Sequence, residues 1–316
     1  MSLKHIALIG AGAMGSFFTP RLYETFGDDF FLIADGKRKN RLESEGTTIN
    51  GKKYIFPVKS PDESADCRLV IISVKAPDID EAIVQIKNFV HPDTIILSVL
   101  NGIESEEKVI KAYGEKHVLY SFMRVSVVMK NHICNYDPNK GYVAFGEKKN
   151  NVYSDRVLTV KEIMELAGIP YVIPDDMIHD MWFKFMCNVG ENMTCALLGI
   201  PFGAFRSSDN ANAIRIGAME EVVHIARRLG INIGKKEIDE QNKFIKTLPF
   251  KNKPSTLQDL EAGKFITEAD IFSGFVVRKG KELGIDTPIN DILYHSVKVL
   301  EEKNRGDFSA VNLLCD

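Results

Sequence analysis

Residues 6–18 read IALIGAGAMGSFF. An apolar run ends in Gly10, Gly12 and Gly15 at GxGxxG spacing, and a helical pattern follows over residues 13–26. A buried strand, a glycine turn and a helix in that order are the setting in which such glycines cradle a pyrophosphate. Gly10 permits the tight turn, Gly12 lets the backbone approach a phosphate, and Gly15 lets helix and strand pack closely. Ala13 and Met14 complete the loop, and the helix start supplies free N–H groups and a favourable dipole. The stretch predicts a dinucleotide-binding unit opening on its first strand.

The pattern continues outward from there. Residues 5–9, 30–34, 69–74 and 94–100 are apolar runs of strand length, with helical patterns over 79–89, 104–113 and 156–167. Continuous apolar strands alternating with helices mean a parallel sheet covered on both faces. Residues 118–128 and 142–145 read as an antiparallel extension, and 171–173 as a last short strand. After Pro174 strand signals nearly vanish, and helices are predicted over 177–198, 210–229, 235–247, 270–283 and 290–302. The fold expected is α/β: an N-terminal Rossmann-type doubly wound sheet over residues 1–175 and an all-helical domain over 176–316.

The cofactor signals conflict. Asp35 ends the second strand at the spacing where an acid bonds an adenosine ribose, which argues for NAD(H). Lys37 and Arg38 follow at once and could clamp a 2′-phosphate, which argues for NADP(H). Lys75 and Asn101 sit just past two further strands, on the side where ligands of open α/β sheets lie. Lys75 could reach a cofactor phosphate or ribose, and Asn101 a nicotinamide ribose or a substrate oxygen. Turn chemistry alone also accounts for Asn101-Gly102.

Lys184, Asn188 and Asn192 are spaced four apart, so in an α-helix they drift only about 40° per step and line one face. They stand among Trp182, Phe183, Phe185, Met186 and Val189. A polar stripe in such company needs partners, and a substrate pocket supplies them. Carbonyl reduction requires a proton for the new alkoxide, which a lysine ammonium can donate while stabilising the oxyanion.

Bulk properties narrow the class. The chain has 316 residues and a net charge of −3, so no basic balance points to nucleic acid or an anionic membrane surface. The longest apolar runs are strand-sized, far short of a bilayer span, and residues 6–9 are too short for a secretory leader. The five cysteines, at 67, 134, 187, 195 and 315, form no CxxC pair, favouring reduced cytoplasmic thiols over disulfides or a metal site. The apolar content of the helical part suggests a homodimer.

On GAGAMG (10–15), SVKAPD (73–78), LNGIES (100–105), WFKFMCNVGENMTCALLG (182–199) and STLQDLEAGKFITEADIFSGFVVRKGKELGIDTP (255–288), the chain resembles the ketopantoate reductase family over nearly its whole length. The resemblance implies reduction of 2-dehydropantoate to pantoate with a nicotinamide dinucleotide, and it favours NADP(H), which many members use, with NAD(H) open because of Asp35. It makes Lys184 the general acid, Asn188 and Asn192 the substrate- and lysine-orienting asparagines, Asn101 the asparagine beside the nicotinamide, and Lys75 a cofactor-side lysine. Glu268 matches the family's site glutamate, with Asp270 and Gly274 as framework, and Thr256 is aligned with the family's substrate hydroxyl. The keto acid is expected in the cleft between domains. Three departures stand out: Thr256 stands before LQD where the family often has serine, Asp35 falls where many members carry arginine, and Phe202 where many carry asparagine. A reductase of another 2-keto or β-hydroxy acid, or a dinucleotide sensor without turnover, are the alternatives.

Overall fold

The computed structural model describes residues 5–308. The chain divides into two compact units, residues 1–178 and 179–316. In the first, the strands are β1 (His5–Ile9), β2 (Phe30–Ile33), β3 (Thr47–Ile49), β4 (Lys52–Tyr54), β5 (Val58–Lys59), β6 (Cys67–Ile72), β7 (Ile95–Ser98), β8 (Val118–Arg124), β9 (Val128–Lys130), β10 (Ile133–Asn135), β11 (Tyr142–Gly146) and β12 (Tyr171–Val172). The main sheet has the order β12-β11-β8-β7-β6-β1-β2-β5. It is parallel from β5 to β8, and β11 runs antiparallel to β8. The chain leaves β1 toward β2 and returns on its other side as β6, so the switch point lies beside β1, where ligands of doubly wound sheets bind.

Two cores explain why these strands read as unbroken apolar runs. Ile6, Leu8, Leu32, Leu69 and Ile71 face one cluster, whereas Ala7, Ile9, Ile33, Val70 and Ile72 face another. Side chains alternate along a strand, so a sheet covered on both faces needs apolar residues at every position. The helices of this unit are α1 (Thr19–Phe26), α2 (Gly36–Ser44), α3 (Ile79–Gln85), α4 (Ser105–Tyr113) and α5 (Asp155–Leu166).

The structure corrects three sequence readings. The helix expected from residue 13 begins as a 3₁₀ turn at Gly15–Phe17, and α1 starts only at Thr19. Pro20 has no N–H to continue an earlier helix and is suited to a first turn. The run 118–128 is not one strand: β8 ends at Arg124, and β9 joins a second sheet of order β4-β3-β10-β9 that was not anticipated. Its strands have three residues each, too short for a periodicity signal. The helix expected over 177–198 is interrupted by a π turn at Asn188–Asn192.

The second unit is helical, and its first helix begins two residues before it: α6 (Met177–Cys187), α7 (Met193–Leu198), α8 (Asp209–Arg228), α9 (Lys235–Ile245), α10 (Ser255–Glu261), α11 (Ser273–Leu283) and α12 (Pro288–Arg305). Sequence punctuation sets several ends. Ser208 caps α8 by accepting the Ala211 N–H at 3.1 Å, and α11 stops at Gly284 in the left-handed region, φ 67°. Pro288 opens α12, and Glu221 on α8 accepts the N–H groups of Ile289 and Asn290 at 2.8 and 2.9 Å. That carboxylate satisfies donors every helix N-terminus leaves open. Cys67, Cys134, Cys187 and Cys195 are buried and outside any disulfide; Cys315 lies outside the described residues.

Candidate functional site

In the first unit, Gly10 leaves β1 with φ +95°, and a Cβ there would lie 2.6 Å from the Ser73 carbonyl carbon and the Val74 nitrogen at the end of β6. A Cβ on Gly15 would lie 2.5 Å from the Gly10 oxygen and 2.8 Å from Ser73 Oγ. Gly12 differs: nothing lies within 4 Å of where its Cβ would be. Gly10 and Gly15 thus serve the fold, and Gly12 leaves open space over the turn, the room a pyrophosphate needs beside the backbone. Ser73 Oγ donates to the Gly10 oxygen at 2.7 Å and locks the loop to β6. Sequence reasoning missed Ser73; its signal was a small polar residue directly after the apolar run of β6.

The end of β2 faces a cleft of ≈ 230 Å³ lined by residues including Ile9, Ala34, Asp35, Arg38, Asp78, Glu81 and Gln85. Asp35 Oδ2 accepts from Gln85 Nε2 at 3.1 Å, and the same amide reaches Glu81 Oε1 at 3.0 Å. Arg38 lines this cleft and Lys37 does not, so the structure brings together only one of the two basic candidates with Asp35. Its charged lining residues are thus three acids, Asp35, Asp78 and Glu81, and one base, Arg38. The glycine turn, the ribose-distance acid and the cleft fit an adenine dinucleotide.

Lys75 and Asn101 follow β6 and β7, neighbours whose last residues pair as Ile72↔Ser98. Each stands three residues past that level, Lys75 exposed and Asn101 half-buried, with Gly102 at φ +93° after it. The loop carrying Asn101 is closed at its base by a 2.8 Å bond from Ser98 Oγ to Ser105 Oγ, and Ser105 Oγ donates to buried Glu106 at 2.9 Å.

In the second unit, the Lys184 helix ends at Cys187 and a π turn spans Asn188–Asn192 before α7. This corrects the even drift expected of one α-helix. A π turn rotates roughly 80° per residue rather than 100°. Asn192 is therefore swung back toward the azimuth of Lys184 instead of drifting away. Lys184 and Asn188 are half-buried, and Asn192 is 7 % exposed. Glu191, in the same turn, is buried and pairs with Arg215 of α8 at 3.1 Å.

The two acids near residue 270 part ways. Asp270 accepts from Tyr294 Oη at 2.8 Å and pairs with Lys298 at 3.1 Å, which ties it to α12. Glu268 lies in the turn before α11 rather than on a helix, because α11 begins at Ser273, and its Oε2 accepts from Ser255 Oγ at 3.0 Å. The hydroxyl beside Glu268 is thus that of Ser255, in place of Thr256, which is 1 % exposed among the packing of α10. Gly274 lies where a Cβ would meet Tyr294 at 3.0 Å. Phe202 packs on the apolar cluster of Cys195, Phe205 and Leu257.

Among the described residues no group of His, Cys, Asp or Glu could hold a metal ion, and no helix is long and apolar enough to cross a membrane.

A glycine turn at a Rossmann-type switch point, with a lysine–asparagine face on a helical unit, is the equipment of a dinucleotide-dependent oxidoreductase. The chain belongs to the ketopantoate reductase family: residues 6–150 match the model described as Ketopantoate reductase PanE/ApbA, and residues 176–301 its C-terminal counterpart. It is 28% identical to the 2-dehydropantoate 2-reductase of Pyrococcus horikoshii, over 95% of this chain and 99% of that one. A D-mandelate dehydrogenase structure with NADH and anilino(oxo)acetate has a TM-score of 0.84 at 22% identity, covering 95% of this chain and 99% of that one. A dimeric ketopantoate reductase from Staphylococcus aureus has a TM-score of 0.77 at 19% identity, with the same coverage.

Proposed function

We propose that this protein reduces the 2-keto group of 2-dehydropantoate to give pantoate, a step of pantothenate and coenzyme A biosynthesis. The observation that supports the reading is the π turn over Asn188–Asn192, whose slower rotation per residue turns Asn192 back toward the side of the helix that bears Lys184. A bound nicotinamide dinucleotide supplies the hydride. Lys184 Nζ donates the proton to the oxygen that becomes the alkoxide and stabilises its developing charge. Asn188 orients that ammonium, and Asn192 and Asn101 hold substrate oxygens. Glu268, carrying the Ser255 hydroxyl, meets the hydroxyl end of the substrate, since its own charge would repel the substrate carboxylate. A site built to bond that hydroxyl discriminates strongly against analogues lacking it. Thr256 supports this segment from behind, its hydroxyl buried.

Gly10, Gly12, Ala13, Met14 and Gly15 take the pyrophosphate, with Lys75 beside them. For the adenosine end we favour NADH. Asp35 is held in the cleft by Gln85, with Asp78 and Glu81 near it and Arg38 as its one basic lining residue. A 2′-phosphate brought there meets a net negative wall. A cytoplasmic homodimer is the assembly proposed, with the dimeric relative in support.

Phe202, apolar where the resemblance places asparagine in many members, supports one alternative, a related 2-keto acid as substrate. The test is NADH and NADPH oxidation with 2-dehydropantoate, run side by side. Oxidation that is faster with NADH is expected. Turnover only on another member of a 2-keto acid panel would replace the substrate, and tight dinucleotide binding with no turnover on any would remove the enzymatic reading.

A further inference from the structure

We propose that the buried Glu191–Arg215 pair is a positioning device: it holds the π turn Asn188–Asn192 against α8 and so keeps both asparagines on the Lys184 face. The inference rests on the reading of that face as the proton-donating centre. π turns are rare and occur mostly as single-turn bulges inside α-helices. Nothing local in the sequence NVGEN enforces one, so tertiary contacts must hold it.

Two contacts do so. Glu191, 5% exposed, accepts from Arg215 Nη1 at 3.1 Å and from Gln241 Nε2 at 2.8 Å, both on Oε1. Arg215, 1% exposed, also donates through Nη2 to Asn212 Oδ1 at 3.1 Å and to Asn242 Oδ1, and its guanidinium lies 5.0 Å from the centre of the Phe205 ring. The turn is thereby bonded to α8 and α9 together. Beside it, Gly190 brings the backbone itself onto α8: a Cβ there would lie 2.6 Å from Met219 Cγ and 2.8 Å from the Arg215 carbonyl oxygen.

A buried ion pair is a weak source of net stability, because apolar side chains of similar volume often serve as well. What this network supplies is direction: donors converging on one carboxylate oxygen fix the register of the turn. Were the turn to relax to α-helical geometry, Asn192 would rotate by roughly 70° away from Lys184, enough to leave the substrate.

The test uses the full chain carrying Glu191→Gln and, separately, Arg215→Lys. In each, kcat for the keto acid is expected to fall ~10-fold or more while the NADH dissociation constant and circular dichroism stay at wild-type values. Amide hydrogen exchange at residues 188–192 should quicken in the same variants, and a merely structural role would leave kcat per folded molecule unchanged. Unchanged kcat and unchanged exchange in Glu191→Gln overturn the proposal. Should Arg215→Lys not fold, Glu191→Gln decides alone. If the wild type turns over no keto acid, the functional reading has failed, and exchange at 188–192 still decides whether the pair holds the turn.

Discussion

Replacing Gly10 and Gly12 in turn by alanine separates folding from binding within one loop. At Gly10 the backbone has φ +95°, and the new methyl would stand 2.6 Å from backbone atoms of Ser73 and Val74. The left-handed region costs a non-glycine residue about 1–2 kcal/mol. Backbone on the facing strand cannot swing aside as a side-chain tip can, so overpacking adds about 1–3 kcal/mol. The expected loss is therefore about 2–5 kcal/mol, a large share of the roughly 5–15 kcal/mol that domains possess. At Gly12 the methyl meets nothing within 4 Å, so stability should hold, or rise by up to about 1 kcal/mol as the unfolded chain loses freedom. The same methyl fills the space reserved for the pyrophosphate, and NADH affinity should drop at least ~10-fold, about 1.4 kcal/mol. Urea unfolding followed by circular dichroism gives the first quantity, and NADH fluorescence titration the second. Wild-type affinity in Gly12→Ala, or destabilisation equal to that of Gly10→Ala, would refute the division of labour between these glycines.

Other expectations follow from the same geometry. Lys184→Ala should lower kcat by about 10²–10⁴-fold with the NADH dissociation constant unchanged in a binding titration; equal turnover would remove Lys184 as the acid. Asp35→Ser should raise NADPH affinity by ~10-fold by removing one carboxylate facing the 2′-phosphate, measured against NADH on the same preparation. Ser255→Ala should raise KM for the keto acid more than it lowers kcat, since it frees Glu268 from its 3.0 Å bond, whereas Thr256→Val should leave KM alone.

Stability of the helical unit should depend on pH through His179. Burial disfavours its charged form, but bonds to Asp180 and Glu237 at 2.8 and 3.3 Å outweigh that, and its pKa rises. A raised folded value means the stabilisation is complete below the ordinary value of 6.5 and is lost as pH climbs through the folded one. Glu237 behaves oppositely. Burial raises its pKa, but the Gly234 and Glu237 backbone N–H groups and His179 outweigh this and lower it, so its contribution is present above 4.5 and lost as pH falls. Urea midpoints taken across this range should decline on the alkaline side in the wild type and lose that slope in His179→Gln.

The chain by itself determined the periodic parts of this protein. Apolar runs at strand length, helices between them and a GxGxxG turn specify a doubly wound sheet, because burial on both faces and a close phosphate approach each leave a local mark. Gly284 and Pro288 likewise marked the end of α11 and the start of α12 one by one. Lys184, Asn188, Asn192 and Glu268 were legible as candidates from spacing and resemblance.

What tertiary structure alone decided has no local signature. The π turn exists because Glu191 finds Arg215, 24 residues on, and Gly190 finds α8. Ser255 rather than Thr256 meets Glu268 because the packing of α10 turns the threonine inward. Asp35 faces a largely acidic cleft because α3 brings Glu81 and Gln85 to it, 50 residues away in the case of Gln85. Sequence spacing reports what a helix or strand does with its own residues; which partner a polar group meets is fixed by where distant segments are packed.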